Sequence, residues 1–198
     1  MPAAILPLIT YVLVSTFTPG PSNISSASLA VLRGYKRTLS YQAGLAAGVF
    51  LLMLLSGLVS TALLGFFPAF EPILRYLGAA YILYLAYGIL KASYTFTDQD
   101  KKPFGFFHGI ALQVLNPKLI FYAFTLFATF LSFTSHNTAL LALSAVLLAA
   151  VSFCATSLWA LFGNVIKARL HKPRLRMAVN ILLSLSLVYT AITLIFEK

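Results

Sequence analysis

The sequence predicts an all-α integral membrane protein. Six transmembrane helices are expected, arranged as two inverted three-helix repeats with helices 1 and 4 broken by proline. Three observations predict this. The chain is 60% hydrophobic and only 9% charged over 198 residues, with a mean hydropathy of +0.92, whereas a soluble domain carries about 25% charged residues. Six long apolar runs follow one another and leave no stretch for a soluble domain, so residues 1–198 read as a single transmembrane domain. Two of those runs, the first and the fourth, are interrupted by proline, and each opens a block of three. An odd number of spans per block turns the second block upside down in the bilayer.

The first run covers residues 3–32. Its opening, Met1-Pro2-Ala3-Ala4-Ile5, lacks a basic n-region and a cleavage pattern, so the run is expected to be retained as a span. It is interrupted at Phe17-Thr18-Pro19-Gly20-Pro21-Ser22-Asn23. Each interior proline costs on the order of 3 kcal/mol in a helix, by removing an N–H and crowding the carbonyl one turn back. Unpaired backbone in lipid adds several kcal/mol per group, so such a break survives only where protein or a polar cavity covers it. Ser22 or Asn23 is expected to cap the second half-helix. The N–H groups after Pro21 then form a positive helix end suited to a carboxylate. Pro19, Gly20, Pro21, Ser22 and Asn23 are therefore candidate binding residues.

Arg33, Lys36 and Arg37 precede the second run, residues 39–66. Its Gly44-x-x-x-Gly48, flanked by Ala43 and Ala47, lets another helix approach closely, either within the chain or in a homo-oligomer. Pro68 and Pro72 punctuate an expected loop carrying Glu71 and Arg75, before the third run at 73–90. There Tyr81 and Tyr84 share a face, as do Tyr84 and Tyr87; they either pack at an interface or line a path. A polar loop holding Asp98, Asp100, Lys101 and Lys102 leads to the fourth run, residues 106–133.

The fourth run is interrupted by Gln113-Val114-Leu115-Asn116-Pro117-Lys118. Lys118 is the one charge deep inside an apolar run, at a cost of roughly 2.5–3.5 kcal/mol on insertion scales. It either holds a substrate carboxylate or responds to protons, or it snorkels and ties up carbonyls of the broken helix. Gln113 and Asn116, three apart, share a face before the break and can bind a polar substrate or neighbouring helices. Gln113, Asn116, Pro117 and Lys118 complete the candidate substrate-binding set. After Ser135-His136-Asn137 comes the fifth run, residues 139–166, and then a basic loop with Lys167, Arg169, Lys172, Arg174 and Arg176. The sixth run, residues 178–196, carries Asn180, Ser184 and Tyr189 along one side. Packing is their default role, with Asn180 a weaker path-lining candidate beside Tyr81 and Tyr84.

Charge placement sets an expected topology. Loops one, three and five hold three, three and five Lys/Arg, whereas loops two and four and the C-terminus hold only Arg75 and Lys198. The positive-inside rule then puts both termini outside. A re-entrant first segment would instead place the N-terminus inside and leave the other loops unchanged. The net charge of +10 belongs to these short clusters and does not signal a nucleic-acid partner. No Asp or Glu lies within a run, the lone Cys154 excludes an internal disulfide, and His108, His136 and His171 fall apart from one another. Glu71 and His108 sit near run ends, where an interface role is expected ahead of a proton-carrying one. The chain shows no nucleophile elbow, phosphate loop or metalloprotease motif. No enzyme activity, catalytic residue, cofactor or metal site is expected.

At these residues the chain resembles the lysine-exporter (LysE/RhtB) family of bacterial amino-acid exporters. The resemblance spans nearly the whole chain. It is carried by Thr18-Pro19-Gly20-Pro21, by Gly78-Ala79-Ala80-Tyr81-Ile82-Leu83-Tyr84-Leu85-Ala86 and by Asn116-Pro117-Lys118. Ala111-Leu112-Gln113 and Trp159-Ala160-Leu161 before the basic loop are most similar to the cysteine/O-acetylserine exporter branch. The resemblance implies a six-span exporter of the bacterial inner membrane, driven by the proton gradient or by substrate exchange. Its partners would be the lipid bilayer and a small amino acid, cysteine/O-acetylserine or threonine/homoserine-like. A small-cation or metal permease or channel of the same superfamily is the alternative.

Overall fold

The computed structural model describes residues 2–63, 67–94, 104–169 and 173–196. They form eight α-helices: α1 (Pro2–Phe17), α2 (Pro21–Arg33), α3 (Tyr35–Leu63), α4 (Phe67–Tyr94), α5 (Phe106–Val114), α6 (Pro117–Thr129), α7 (Thr138–Arg169) and α8 (Pro173–Phe196). A 3-10 turn, Ser132–His136, joins α6 to α7. Asp98, Asp100, Lys101, Lys102, His171, Lys172 and Lys198 lie outside the described residues, as do the side chains of Glu71, Arg75, His136, Arg169 and Arg176.

Each proline-marked run is two helices. α1 ends at Phe17 and α2 begins with Pro21 at its first turn; α5 ends at Val114 and α6 begins with Pro117 at its first turn. Proline fits there because a first-turn N–H has no intrahelical partner to lose. The loop expected around Pro68 and Pro72 is instead the start of α4, whose helix opens at Phe67. The same physics applies to Pro68, which falls in that helix's first turn. Between α2 and α3 the chain turns at Gly34, whose φ of 85° is disfavoured for side-chain-bearing residues. There the Asn164 Oδ1 of α7 accepts from the Tyr35 N–H.

By length and composition, Tyr35–Leu58 and Thr138–Ala168 can each cross a membrane. Phe106–Val114 and Pro117–Phe127, bent by 64° at their break, form a third candidate; the apolar stretches Ile5–Phe17, Ala79–Lys91 and Met177–Ile192 are shorter. The distribution of side chains points to a lipid environment. Leu51, Leu55 and Leu58 of α3, Leu143, Val146 and Leu147 of α7 and Leu182 and Leu185 of α8 face outward, while Asn23, Ser25, Gln42, Gln113, Asn116 and Asn180 are buried. Water would favour the reverse; a multi-pass membrane protein places polar groups inside its bundle.

α2 is the central helix, with ten of its 13 residues buried. It packs mainly on α7 and also meets α8, α3 and α4; α3 packs on α5 and α7, and α4 packs on α8. Glycines set the two closest approaches. A methyl at Gly44 would strike the Phe106 carbonyl, and one at Gly109 the Tyr41 carbonyl, so α3 and α5 touch backbone to backbone. A methyl at Gly163 of α7 would strike the Ala27 carbonyl of α2. Gly48 faces Gln113, so the Gly44-x-x-x-Gly48 face is used within the chain.

Two apolar cores result. One joins Ile24 and Leu29 of α2 to Tyr41 and Leu45 of α3, with α4, Leu112 of α5 and α8. The other joins Val49 and Met53 of α3 to Tyr122 and Leu126 of α6 and to Leu141 and Ala145 of α7. The boundary falls on α3 between Leu45 and Val49, one turn apart. Beside that boundary lie the two broken spans.

Candidate functional site

The first break frees the last carbonyls of α1, and each is met. Thr18 N–H donates to the Val14 carbonyl at 3.2 Å, and the Thr18 hydroxyl to that of Ser15 at 3.4 Å. The Asn23 amide donates at 2.9 Å to the carbonyls of both Thr16 and Thr18. Trp159 Nε1 of α7 donates to the Phe17 carbonyl at 3.2 Å. Lys118 Nζ reaches the Pro19 carbonyl at 3.5 Å and the Thr18 hydroxyl at 2.9 Å. The Gly20 carbonyl accepts from the Ile24 N–H at 2.9 Å.

This differs from the expectation that Ser22 or Asn23 caps α2. The N-cap is Gly20, and no side chain caps the helix. Asn23 turns back onto α1, because two orphan carbonyls within reach of one NH₂ group outweigh an N–H that can face a polar cavity. Ser22 spends its hydroxyl on Gln113 Oε1, at 2.8 Å. α6 is likewise uncapped by a side chain at its N-cap, Asn116. Asn116 stands past the end of α5 and does not share its face; its Nδ2 donates to Gln113 Oε1 at 3.4 Å. Lys118 is exposed in the isolated chain rather than buried, and it binds the opposite break, not carbonyls of its own.

A cavity of about 60 Å³ lies between the breaks. Gly20, Pro21, Ser22 and Asn23 line it from the first, and Gln113, Asn116 and Lys118 from the second. Pro19 and Pro117 are not in the lining; the Pro19 carbonyl reaches it only through Lys118. Tyr81, Tyr84 and Asn180 stand away from it. Tyr81 donates to the His108 carbonyl at 2.9 Å and lies 5.8 Å, centroid to centroid, from the Tyr84 ring. His108 itself caps α5, its Nδ1 accepting from the Gly105 N–H at 3.3 Å. Asn180 is fully buried and neither end of its amide has a partner.

Several lining residues escaped the sequence reading: Ser15 and Thr16 before the first break, Tyr122 on α6, and Ser152 and Thr156 on α7. Signals for some existed. Tyr122 lies four residues after Lys118, and Ser152 and Thr156 are four apart, so each pair shares a helix face. Val49, Leu119 and Leu148 supply an apolar wall. Among the described residues no carboxylate lines the cavity, and no three His, Cys, Asp or Glu cluster as metal ligands. The arrangement brings together one cation, two helix starts that no side chain caps, amide and hydroxyl groups, and an apolar wall. Such a set can hold a small molecule that carries both an anionic group and hydrogen-bond donors.

Comparison with known proteins agrees. The profile of LysE type translocators matches residues 13–198. A cysteine/O-acetylserine efflux protein of Klebsiella pneumoniae is 33% identical over 196 residues, 99% of each chain. Proteins of the same name from Salmonella choleraesuis and Escherichia coli K12 are 33% and 34% identical over 94% of this chain and 95% of their own. No solved structure matches significantly. With a matching profile over nearly its whole length and relatives above 30% identity end to end, the chain belongs to the LysE type translocator family.

Proposed function

We propose that this chain is a secondary-active exporter of small amino acids or close derivatives, and not an enzyme. It works across the bacterial inner membrane, by proton antiport or by substrate exchange. The observation that carries this reading is the junction of the two breaks: Lys118 at the start of α6 sits on Thr18 and Pro19, beside the uncapped start of α2. A substrate carboxylate replaces those weak partners, held by the Lys118 ammonium and the positive end of α2. Ser22, Gln113 and Asn116 complete the polar side.

Six spans are assigned by counting α1 with α2 and α5 with α6 as one broken span each, followed by α3, α4, α7 and α8. Two inverted repeats then run α1–α4 and α5–α8. Reciprocal packing supports them: the first broken span lies on α7 and the second on α3, while α3 meets α7 and α4 meets α8. The two broken spans make their cross-repeat approaches at glycine, Gly163 on Ala27 and Gly44 on Phe106. Rocking of one repeat against the other would expose the midplane site alternately to each side.

Cysteine and O-acetylserine are the first substrates to test, since the relatives bear those names; threonine and homoserine follow. The test is uptake into inverted vesicles from cells expressing the full chain, with and without a pH gradient and with substrate preloaded for exchange. Gradient- or exchange-dependent uptake of an amino acid is expected. Uptake of none, with the protein present in the membrane, refutes the reading.

A further inference from the structure

Two polar atoms in the cavity wall lack a well-formed hydrogen bond, although the Thr16 side chain stands near one of them, the Tyr122 hydroxyl. Asn116 Oδ1 and the Tyr122 hydroxyl have no hydrogen-bond partner, though their residues are only 5% and 8% exposed. Both residues line the cavity. A buried polar group left unpaired costs about 1–3 kcal/mol, and most such groups in proteins find a partner. Two of them on one cavity wall mark a place where a ligand supplies the missing bonds.

The surrounding bonds define what that ligand group is. Gln113 Oε1 already accepts from Ser22 and Asn116, and the carbonyls of Thr16 and Thr18 accept from Asn23. The Asn116 NH₂ is engaged with Gln113, which orients the amide and leaves Oδ1 as a pure acceptor. A phenol oxygen also accepts. The missing group is therefore a hydrogen-bond donor, and the Lys118 ammonium is already directed at Thr18 and Pro19. We infer that Asn116 Oδ1 and the Tyr122 hydroxyl oxygen seat the α-ammonium group of the exported substrate, apart from the carboxylate held by Lys118. This rests on the exporter reading above. It gives the site two ends of opposite preference, so a zwitterion fits in one orientation and a compound lacking the amine loses one end. Sites built to bond a polar group reject analogues that lack it far more strongly than apolar pockets reject a missing methylene.

The test compares L-cysteine with 3-mercaptopropionate, in which a hydrogen replaces the ammonium and no donor remains at that carbon, as transported substrates in inverted vesicles. Tyr122→Phe removes the hydroxyl but keeps the ring, which lies 5.5 Å from that of Tyr11; Asn116→Leu removes the other acceptor. For each variant the KM for cysteine is expected to rise about tenfold. The KM for mercaptopropionate stays nearly constant, so the preference for the amine shrinks by the same factor. A purely structural role would move both compounds together. Uptake of cysteine by the unaltered protein with an unchanged preference in both variants overturns the ammonium seat alone. If threonine or homoserine is carried in place of cysteine, the same comparison is made with its deaminated analogue; uptake of no amino acid by the unaltered protein overturns the exporter reading and the seat with it.

Discussion

Lys118 and Asn23 show how single residues satisfy a broken helix, Lys118 from the opposite break and Asn23 from within the same one. Lys118 donates to Thr18 and Pro19, which lie 100 and 99 residues earlier. Both contacts are to neutral groups and the side chain is exposed in the isolated chain, so its removal leaves little behind to destabilise the fold. Lys118→Met is expected to reach the membrane at normal levels yet lose transport at least about tenfold, the effect of losing one charged contact to a carboxylate. Full transport by that variant would remove Lys118 from the site. Asn23 differs because it is buried and bonds two carbonyls. Asn23→Leu strands both, and is expected to cost about 2 kcal/mol, read as a lowered Tm of the purified protein in detergent. An unchanged Tm would show that other groups satisfy Thr16 and Thr18.

At the scale of elements, the crossings are governed by the absence of side chains. Gly163 against Ala27 brings α7 onto α2, and Gly109 against Tyr41 brings α5 onto α3. Without a dry hydrophobic force between helices in lipid, close backbone approach and its dispersion contacts hold them together. Gly163→Val places atoms where the Ala27 carbonyl stands, and Gly109→Val does the same to Tyr41. Each is expected to cost about 3 kcal/mol by overpacking, seen as loss of monodisperse protein on size-exclusion chromatography. Gly105→Ala, at a position with nothing within 4 Å of an added methyl, is the control expected to behave normally. If Gly163→Val and Gly105→Ala behave alike, the close crossing of α2 and α7 is not required.

At the scale of the whole molecule, α3 and α7 pack together, tied by Gln42 Oε1 accepting from Ser157, itself bonded by Tyr35. The cavity lies between the breaks, at the boundary of two apolar cores. We propose an orientation in the bilayer from charge, with the Lys36 end of α3 and the Lys167 end of α7 inside. After replacement of the exposed Cys154, single cysteines at Lys36 and at Asn137 are expected to label from opposite sides of the membrane. Labelling of both from one side would refute the six-span assignment.

Much of this was legible in the chain itself, and the rest divides on one physical ground. Hydropathy and the missing proline N–H are properties of a residue and its immediate neighbours, so the all-helical membrane class and the breaks at Pro21 and Pro117 could be read directly. The small residues at Gly44 and Gly48 announced a close approach but not their partner, because pairing depends on a helix far away in sequence. Beyond Ser22, the serines of α2 (Ser25, Ser26 and Ser28) drew no reading from the sequence, and only packing made that helix the buried centre. For the same reason Tyr122 was missed and Asn23 was assigned to the wrong helix end. By itself, then, the sequence determined that two apolar runs break at proline. Only the tertiary structure decided what meets them, bringing Lys118, Trp159 and Gln113 onto the first break, because the free energy of a broken helix depends on whichever distant groups folding places beside it.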